Sequence, residues 1–153
     1  MCSSDLNVAG QIGSNNAGKI TTGSLSGASS GAVDLEAKNQ VGTLGSFSTG
    51  GGAFTFSDNT ALTVAGPINT GASDISLTTT GTGNDMTITG SVQTSGTLTL
   101  VTSGAANETN TGAIIANTLN VTAQTGISLT SPLNMISHVG KDKTKSGPNN
   151  ITL

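Results

Sequence analysis

The sequence predicts an all-β fold, specifically a right-handed parallel β-helix (a solenoid) of about six coils with roughly 21–23 residues each. Three observations predict it. A motif of three short strands separated by turns recurs along the chain at that spacing. Within the motif, apolar and polar residues alternate as they do in half-buried strands. Glycine and β-branched residues recur too often for long helices, and the chain has 22 Gly with neither Trp nor Tyr.

The motif is clearest between residues 52 and 71. Its first strand is Phe54-Thr55-Phe56, which is followed by a turn at Asp58-Asn59. Its second strand is Leu62-Thr63-Val64, and its third element is Gly66-Pro67-Ile68. None of these strands is long enough to form a domain by itself, so the fold depends on whether the motif recurs.

All three elements recur in the same order. The first strand has counterparts at Val33-Asp34-Leu35, Ile75-Ser76-Leu77, Leu98-Thr99-Leu100 and Leu119-Asn120-Val121. The second has counterparts at Met86-Thr87-Ile88 and Ile127-Ser128-Leu129, and a looser one from Val41 to Leu44. The third recurs from Gly45 to Phe47, Gly90 to Val92, Gly112 to Ile115 and Ser131 to Leu133. Ile12, Ile20 and Leu25 indicate an earlier, weaker coil. Only the repeat that starts at Leu98 lacks a clear second strand, because residues 104–111 are polar.

Stacking explains how such a small motif can fold. One coil offers too few apolar side chains to bury alone, whereas neighbouring coils cover each other. The first strands should build two internal columns, one of Val33, Phe54, Ile75, Leu98 and Leu119 and one of Leu35, Phe56, Leu77, Leu100 and Val121. Successive side chains of a strand point to opposite sides, so the residue between the two columns should point toward solvent in every coil. These residues are Asp34, Thr55, Ser76, Thr99 and Asn120. A disordered Gly/Ser/Thr-rich linker is the rival interpretation, but a linker has no reason to keep apolar pairs in phase.

Three segments are expected along the chain. Residues 1–6 fit no repeat, and codons that would encode them match the end of a common sequencing-library adapter, so we interpret them as a non-native tail. An ordinary N-terminal tail is the alternative. Residues 7–139 form the β-helix repeat array. Residues 140–153 hold Lys141, Lys143 and Lys145 and are interpreted as an exposed loop, after which Ile151-Thr152-Leu153 starts a further coil that is truncated.

The sequence offers little for catalysis, so we expect no enzyme and assign no catalytic, cofactor-binding or metal-ligating residue. His138 is the only histidine, Arg is absent, and the acidic residues do not recur at one position of the coil. A glycosidase needs two facing carboxylates, and Glu36 and Asp58 on successive coils are the best such pair, interpreted as solvent-facing. Nucleic-acid binding is disfavoured by the net charge of −3 and by the three aromatic residues, all Phe and all expected inside.

Several phrases of the repeats resemble the shaft repeats of filamentous haemagglutinin-type exoproteins. These phrases run from Val41 to Gly51, from Leu62 to Ile68 and from Gly126 to Leu133, and the resemblance extends over roughly residues 7–139. That family consists of large bacterial surface adhesins exported by two-partner secretion, and autotransporter passengers share its architecture. The family's Asn-Pro-Asn-Leu secretion motif is absent from this sequence, and no binding residue of the family maps onto it.

The resemblance implies a structural shaft segment of a large secreted adhesin that supports cell adhesion. It also implies a location outside the cell or on a Gram-negative cell surface, with an outer-membrane transporter as partner during export. Host-cell or surface glycans or proteins are the implied adhesion partners. Neither end of the chain resembles a capping segment, so end-to-end self-association is expected as well. Two alternatives stay open: a fragment of a carbohydrate-active β-helix enzyme, and a segment of a phage or other structural fibre.

Overall fold

The computed structural model describes residues 3–8, 12–13 and 18–151, and over these residues the chain is a parallel β-solenoid of about six turns. Fifteen strands join into one sheet that winds around a single apolar core. The predicted all-β solenoid of stacked coils is therefore confirmed. In the described part of the chain, no helix is long and apolar enough to cross a membrane.

The strands vary from two to seventeen residues in length. They are β1 (Ser3–Val8), β2 (Ile12–Gly13), β3 (Thr21–Ser29), β4 (Val33–Thr49), β5 (Phe54–Asp58), β6 (Leu62–Val64), β7 (Ile68–Asn69), β8 (Ile75–Thr79), β9 (Met86–Ile88), β10 (Ser91–Thr102), β11 (Ala105–Glu108), β12 (Ala113–Ala123), β13 (Gly126–Leu129), β14 (Met135–Thr144) and β15 (Asn149–Ile151).

Each turn of the solenoid has three faces. Face 1 carries β2, β5 and β8 together with parts of the long strands β4, β10, β12 and β14. Face 2 carries β6, β9, β11, β13 and β15, and face 3 carries β7 and the first residues of β10, β12 and β14. β1 and β3 pair along faces 2 and 3. The long strands continue around corners, and the register of β10 on β12 shifts at one such corner, between Thr94 and Thr97.

The two predicted core columns on face 1 are confirmed. Val33 pairs with Phe54, and the same register continues through Ile75, Leu98 and Leu119. All five side chains are at most 1% exposed. The second column, which contains Leu77 between Phe56 and Leu100, is buried as well. All three Phe side chains lie in this core, as the sequence predicted.

Polar side chains line the inside of two corners. At the corner between faces 1 and 2 they stack as Asn39, Asp58, Thr79 and Thr102, all nearly fully buried. At the corner between faces 3 and 1 they stack as Ser29, Thr49, Thr70 and Thr94. The Thr94 hydroxyl donates to the carbonyl of Ser73 at 2.6 Å and accepts from the amide of Gly96 at 2.8 Å. Corner backbone groups outside the strand ladder are thus satisfied by internal hydroxyls.

Tight corners also require glycine. A Cβ atom on Gly66 would lie 2.1 Å from the backbone nitrogen of Ser46 on the preceding coil. Successive coils approach so closely there that no side chain fits between them. Gly66 is therefore needed for the close approach of two backbones at the start of the third element.

The expectation that the repeat starting at Leu98 lacks a second strand is wrong. β11 occupies that place and pairs with β9 and β13 on either side. Ala106 fills one core position, and Glu108 pairs with Ile88 at a position where other coils have an apolar residue. The sequence pattern missed this strand because a small residue and an acid stand at its two inward positions.

The ends of the chain also differ from expectation. Ser3–Leu6, expected to fit no repeat, belong to β1 and pair in parallel with residues 24–27 of β3. Residues 140–144, expected in a loop, belong to β14 and pair with β12, although Lys141, Lys143 and Lys145 are exposed as expected. Backbone pairing with a neighbouring coil needs no apolar side chain, so hydropathy alone did not reveal these strands.

The third element of the last coil begins later than predicted. Leu133 is 51% exposed, whereas Asn134 is buried and its Oδ1 accepts a hydrogen bond of 2.8 Å from the amide of Ile114. β14 then starts at Met135, which pairs with Ile115. Ser131, predicted to open the element, is buried at the corner and donates to the carbonyl of Gly112 at 2.6 Å.

Candidate binding surface

The carboxylates singled out from the sequence do not form a catalytic pair. Asp58 is fully buried at a corner, whereas Glu36 is exposed on the outside of β4. The interpretation of these two acids as a solvent-facing pair is therefore wrong. The strand alternation that buries Phe54 and Phe56 also turns Asp58 inward, two residues further on.

Hydrogen bonds from Val41 and Thr60 hold the Asp58 carboxylate in place. Its Oδ1 accepts from the amide of Val41 at 2.9 Å, and its Oδ2 accepts from the amide and hydroxyl of Thr60 at 3.2 and 2.6 Å. Burial raises the pKa of the Asp58 carboxyl, while the hydrogen bonds from Thr60 and Val41 act in the opposite direction. The carboxylate thus organises the turn after β5 and joins it to the coil below.

Other acids act in the same way at separate places. Oδ1 of Asp74 accepts from the amide of Thr97 at 2.7 Å, and Oδ1 of Asp85 accepts from the amide of Ala105 at 2.6 Å. Oε2 of Glu108 accepts from the amide of Ser131 at 3.1 Å and from Nδ2 of Asn134 at 2.8 Å. Each carboxylate contacts a backbone amide of the next coil. Within residues 3–8, 12–13 and 18–151, no three His, Cys, Asp or Glu side chains lie close enough to hold a metal ion.

The only histidine lies far from these acids along the chain. His138 is exposed on β14 and pairs with Thr118 of the preceding coil. Its strand neighbours on the surface are Ser137 and Val139, neither of which ionises. Among the described residues, no carboxylate forms a hydrogen bond with this imidazole.

The outward positions form ladders of hydroxyl and amide groups. On face 1 the predicted outward column is confirmed, because Asp34, Thr55, Ser76, Thr99 and Asn120 pair in register and are partly exposed. On face 2 a second column, missed by the sequence reading, consists of Thr43, Thr63, Thr87, Asn107, Ser128 and Asn150. Neighbouring members are about 4.8 Å apart, the spacing of paired strands.

One groove interrupts the outer surface beside the corner between faces 1 and 2. It has a volume of about 410 Å³. Its walls carry the hydroxyls of Thr78 and Thr122, the amide of Gln124 and the ammonium of Lys145, and half-buried Val101 lies between the two threonines. Among the described residues, these four polar groups make no side-chain hydrogen bond, so all four can face a ligand. The groove thus combines apolar surface with hydroxyl, amide and ammonium groups, so a ligand can bind there through both van der Waals contacts and hydrogen bonds.

A second groove of about 380 Å³ lies on face 3 near the last coil. Ile115 and Met135 line it together with Thr94, Ser95, Ala116, Asn117 and Ser137. Met135 is 62% exposed, so this groove is open and partly apolar. It leads directly to the end of the rod.

The chain matches no protein-family model, no curated protein and no solved structure. What is established is therefore the fold, a parallel β-solenoid with an apolar interior and hydroxyl ladders outside. What the protein does has to be inferred from its own surfaces.

Sequence reasoning did not find the groove or the polar corner columns. A signal existed for the column at the corner of faces 1 and 2, because Asp58, Thr79 and Thr102 each follow the second core residue of their coil by two positions. A polar residue repeated at one phase inside an apolar pattern indicates a structural ladder. The groove had no such signal: Thr78, Val101, Thr122 and Lys145 come from four successive coils at the repeat spacing, but their side chains differ in chemistry.

Proposed function

We propose that this chain is a shaft segment of a large secreted bacterial surface adhesin. The observation that carries the proposal is the repetition of one cross-section. The same core columns continue in register from coil to coil and join into a single apolar core. A solenoid of this kind grows by about 4.8 Å with every coil, so length is gained simply by adding repeats.

The outer chemistry suits a position outside the cell. The described surface is dominated by Ser, Thr and Asn, and charged residues are only 8% of the sequence. The single cysteine, Cys2, gives no disulfide within the chain, so stability rests on the stacked coils and not on redox state. An outer-membrane transporter is the proposed partner during export, and the proposed location is the bacterial surface or the medium.

Labelling of the source bacterium tests this location. An antibody raised against the purified chain is expected to stain intact cells or to detect the protein in the medium. Staining only after permeabilisation would contradict the proposal. The genes beside the coding sequence give a second test, because a transporter gene is expected there, whereas phage tail genes would favour the fibre alternative.

The proposed ligand of the shaft is a glycan, bound in the groove beside Val101. A sugar ring offers hydroxyls to Thr78, Thr122 and Gln124 and a C–H face to Val101, and Lys145 would favour an acidic sugar. A glycan array with the purified chain tests this idea. Binding is expected to weaken at least tenfold in Thr122→Val and Lys145→Ala, but not in Thr63→Val on face 2. Equal binding by the natural chain and all three variants would show that the glycan does not bind in this groove.

We further propose that the chain is not an enzyme. In support, four of the eight acids accept hydrogen bonds from backbone amides at separate places, namely Asp58, Asp74, Asp85 and Glu108. The best pair from the sequence is divided between the core and the surface. The alternative of a carbohydrate-active enzyme requires an acid and a base facing one substrate. Glu36 and Asp58, the best candidates for that arrangement, do not face one site, because Asp58 is buried and Glu36 is exposed.

A further inference from the structure

The groove beside Val101 runs along the axis of the rod and crosses the strands. Its first edge consists of Thr78, Val101 and Thr122, which pair in register on three successive coils. Thr122 pairs in turn with Lys143 of the next coil. Since neighbouring coils are about 4.8 Å apart, this edge extends over about 14 Å from Thr78 to Lys143. A ligand that contacts the whole edge therefore lies parallel to the axis.

The second edge of the groove follows the corner between faces 1 and 2. The amides of Thr80, Gln124 and Lys145 each donate to the carbonyl of the inward corner residue one coil earlier, at 2.7, 3.2 and 3.1 Å. These residues thus occupy equivalent places, and Ser103 lies between Thr80 and Gln124. The hydroxyls of Thr80 and Ser103 form hydrogen bonds with the backbone of the preceding coil, whereas Gln124 and Lys145 are exposed. Side chains that can bind a ligand are therefore concentrated toward Lys145.

One end of the groove is cationic. Lys143 continues the first edge and Lys145 the second, and both are exposed on the outside of the coil, where a further coil stacked along the axis would not cover them. The Asp142 carboxylate between them is partly buried, and its Oδ2 accepts from Nδ2 of Asn149 at 2.8 Å. The two ammonium groups can therefore donate charge-assisted hydrogen bonds to an anionic group of a ligand.

The opposite direction along the rod offers no such excess of positive charge. Two coils before Thr78, the outside of β4 carries Asp34, Glu36 and Lys38, which together have one negative charge. Between these two regions the groove is lined by uncharged side chains, among them the apolar side chain of Val101. A ligand that matches the groove therefore has one anionic end, followed by neutral units that carry both hydrogen-bonding groups and apolar surface.

We propose that the groove binds a linear oligosaccharide along the rod axis, with an acidic sugar at Lys145 and neutral pyranose units over Thr122, Val101 and Thr78. This assignment rests on the glycan ligand proposed above and adds the direction, the length and the charge of that ligand. A pyranose unit in an extended chain advances by a length close to one coil spacing, so successive units meet successive coils. The hydroxyls of these units bond to Thr122 and Thr78, and a C–H face covers Val101.

A length series of oligosaccharides tests the direction along the axis. The probes are β-1,4-linked glucose oligomers of two to five units with glucuronic acid at the non-reducing end, and calorimetry measures their affinity. Binding is expected to strengthen up to four units and then to level off. Thr78→Val is expected to weaken binding of the four-unit probe about threefold to tenfold, the effect of one neutral hydrogen bond, and to leave the two-unit probe unaffected. Thr55→Val, on the other outward column of face 1, is the matched control and should affect neither probe.

The same oligomers with plain glucose at that end test the charge. Lys145→Ala is expected to weaken binding of the acidic probe about tenfold and to leave the neutral probe unaffected, whereas Lys38→Ala should change neither. Circular dichroism of every variant establishes that the rod is folded.

Three outcomes would contradict different parts of the proposal. Equal binding of acidic and neutral probes by the natural chain would overturn the acidic end. If Thr78→Val had no effect at any length, the axial direction would be wrong, although the glycan would still bind. If no oligomer bound, the glycan ligand itself would be refuted, and the direction with it.

Discussion

The backbone amide of Val41 donates a hydrogen bond of 2.9 Å to Oδ1 of Asp58, a residue seventeen positions later in the sequence. This contact joins one coil to the next at the corner between faces 1 and 2. Asn39 lies in register below Asp58, and its Nδ2 donates to the carbonyls of Leu35 and Ser57 at 2.9 and 2.8 Å. The buried polar groups of this corner thus support one another through successive coils.

The ionisation of Asp58 is predicted to couple stability to pH. Burial raises the pKa of this carboxyl above its ordinary value of 3.8, so the charged form is less favourable in the fold than in the unfolded chain. This contribution favours the fold below pH 3.8 and is lost as pH rises through the raised pKa. We expect the free energy of unfolding of the natural chain to fall, relative to Asp58→Asn, over that interval.

Urea unfolding of both proteins from about pH 3 to about pH 7 measures this difference. Taking the difference removes the contribution of the other acids. If the free energy of unfolding of the natural chain instead rose relative to that of Asp58→Asn as the pH increased, the predicted sign would be wrong. Asp58→Ala serves as a second variant, and we expect it to lose about 1–3 kcal/mol at every pH because the amides of Val41 and Thr60 lose their acceptor.

Leu77 is predicted to be essential for the stack. Its side chain is fully buried between Phe56 and Leu100. Leu77→Asp places an unpaired charge in the core, which costs about 3–5 kcal/mol or more, a large share of the stability of a small domain. The neighbouring outward change Ser76→Asp should stay within about 0.5 kcal/mol. Thermal unfolding followed by circular dichroism compares the two, and similar losses would disprove the assigned phase of β8.

Glu108 is predicted to stabilise the corner of the following coil. Its Oε2 holds the amide of Ser131 and Nδ2 of Asn134, and its Oε1 is buried without a partner among the described residues. Glu108→Ala should cost about 1–3 kcal/mol and should speed hydrogen exchange at the Ser131 amide. Asn107→Ala, on the outside of the same strand, is the matched control and should leave that amide protected. Unchanged exchange in Glu108→Ala would show that the carboxylate does not hold the corner.

The purified chain is predicted to show no turnover on a panel of polysaccharides, including pectin-like polymers. The reason is that Asp58, Asp74, Asp85 and Glu108 accept hydrogen bonds from backbone amides at separate places, and that Glu36 is exposed whereas Asp58 is buried. Reducing-end release and absorbance of unsaturated products measure hydrolysis and elimination. Activity that disappears in Glu36→Gln or Asp58→Asn would refute this prediction and restore the enzyme alternative.

The alternation of residues determined much of this fold without any tertiary information. The pairs Phe54/Phe56, Ile75/Leu77 and Leu98/Leu100 recur at one spacing, and a strand can bury such a pair on one side only. Stacking is the one arrangement that buries all pairs together, so the columns and the outward position of Thr55 followed from the sequence.

Only the tertiary structure decided the places where polar residues point inward. Asp58 and Glu108 have the chemistry of surface residues, and hydropathy assigns them to solvent. Their burial depends on backbone amides of neighbouring coils, Val41 for Asp58 and Ser131 for Glu108, which lie seventeen and twenty-three positions away. A local pattern carries no information about such partners. The strands β1 and β11 and the groove beside Val101 likewise depend on contacts between neighbouring coils, so only the tertiary structure shows them.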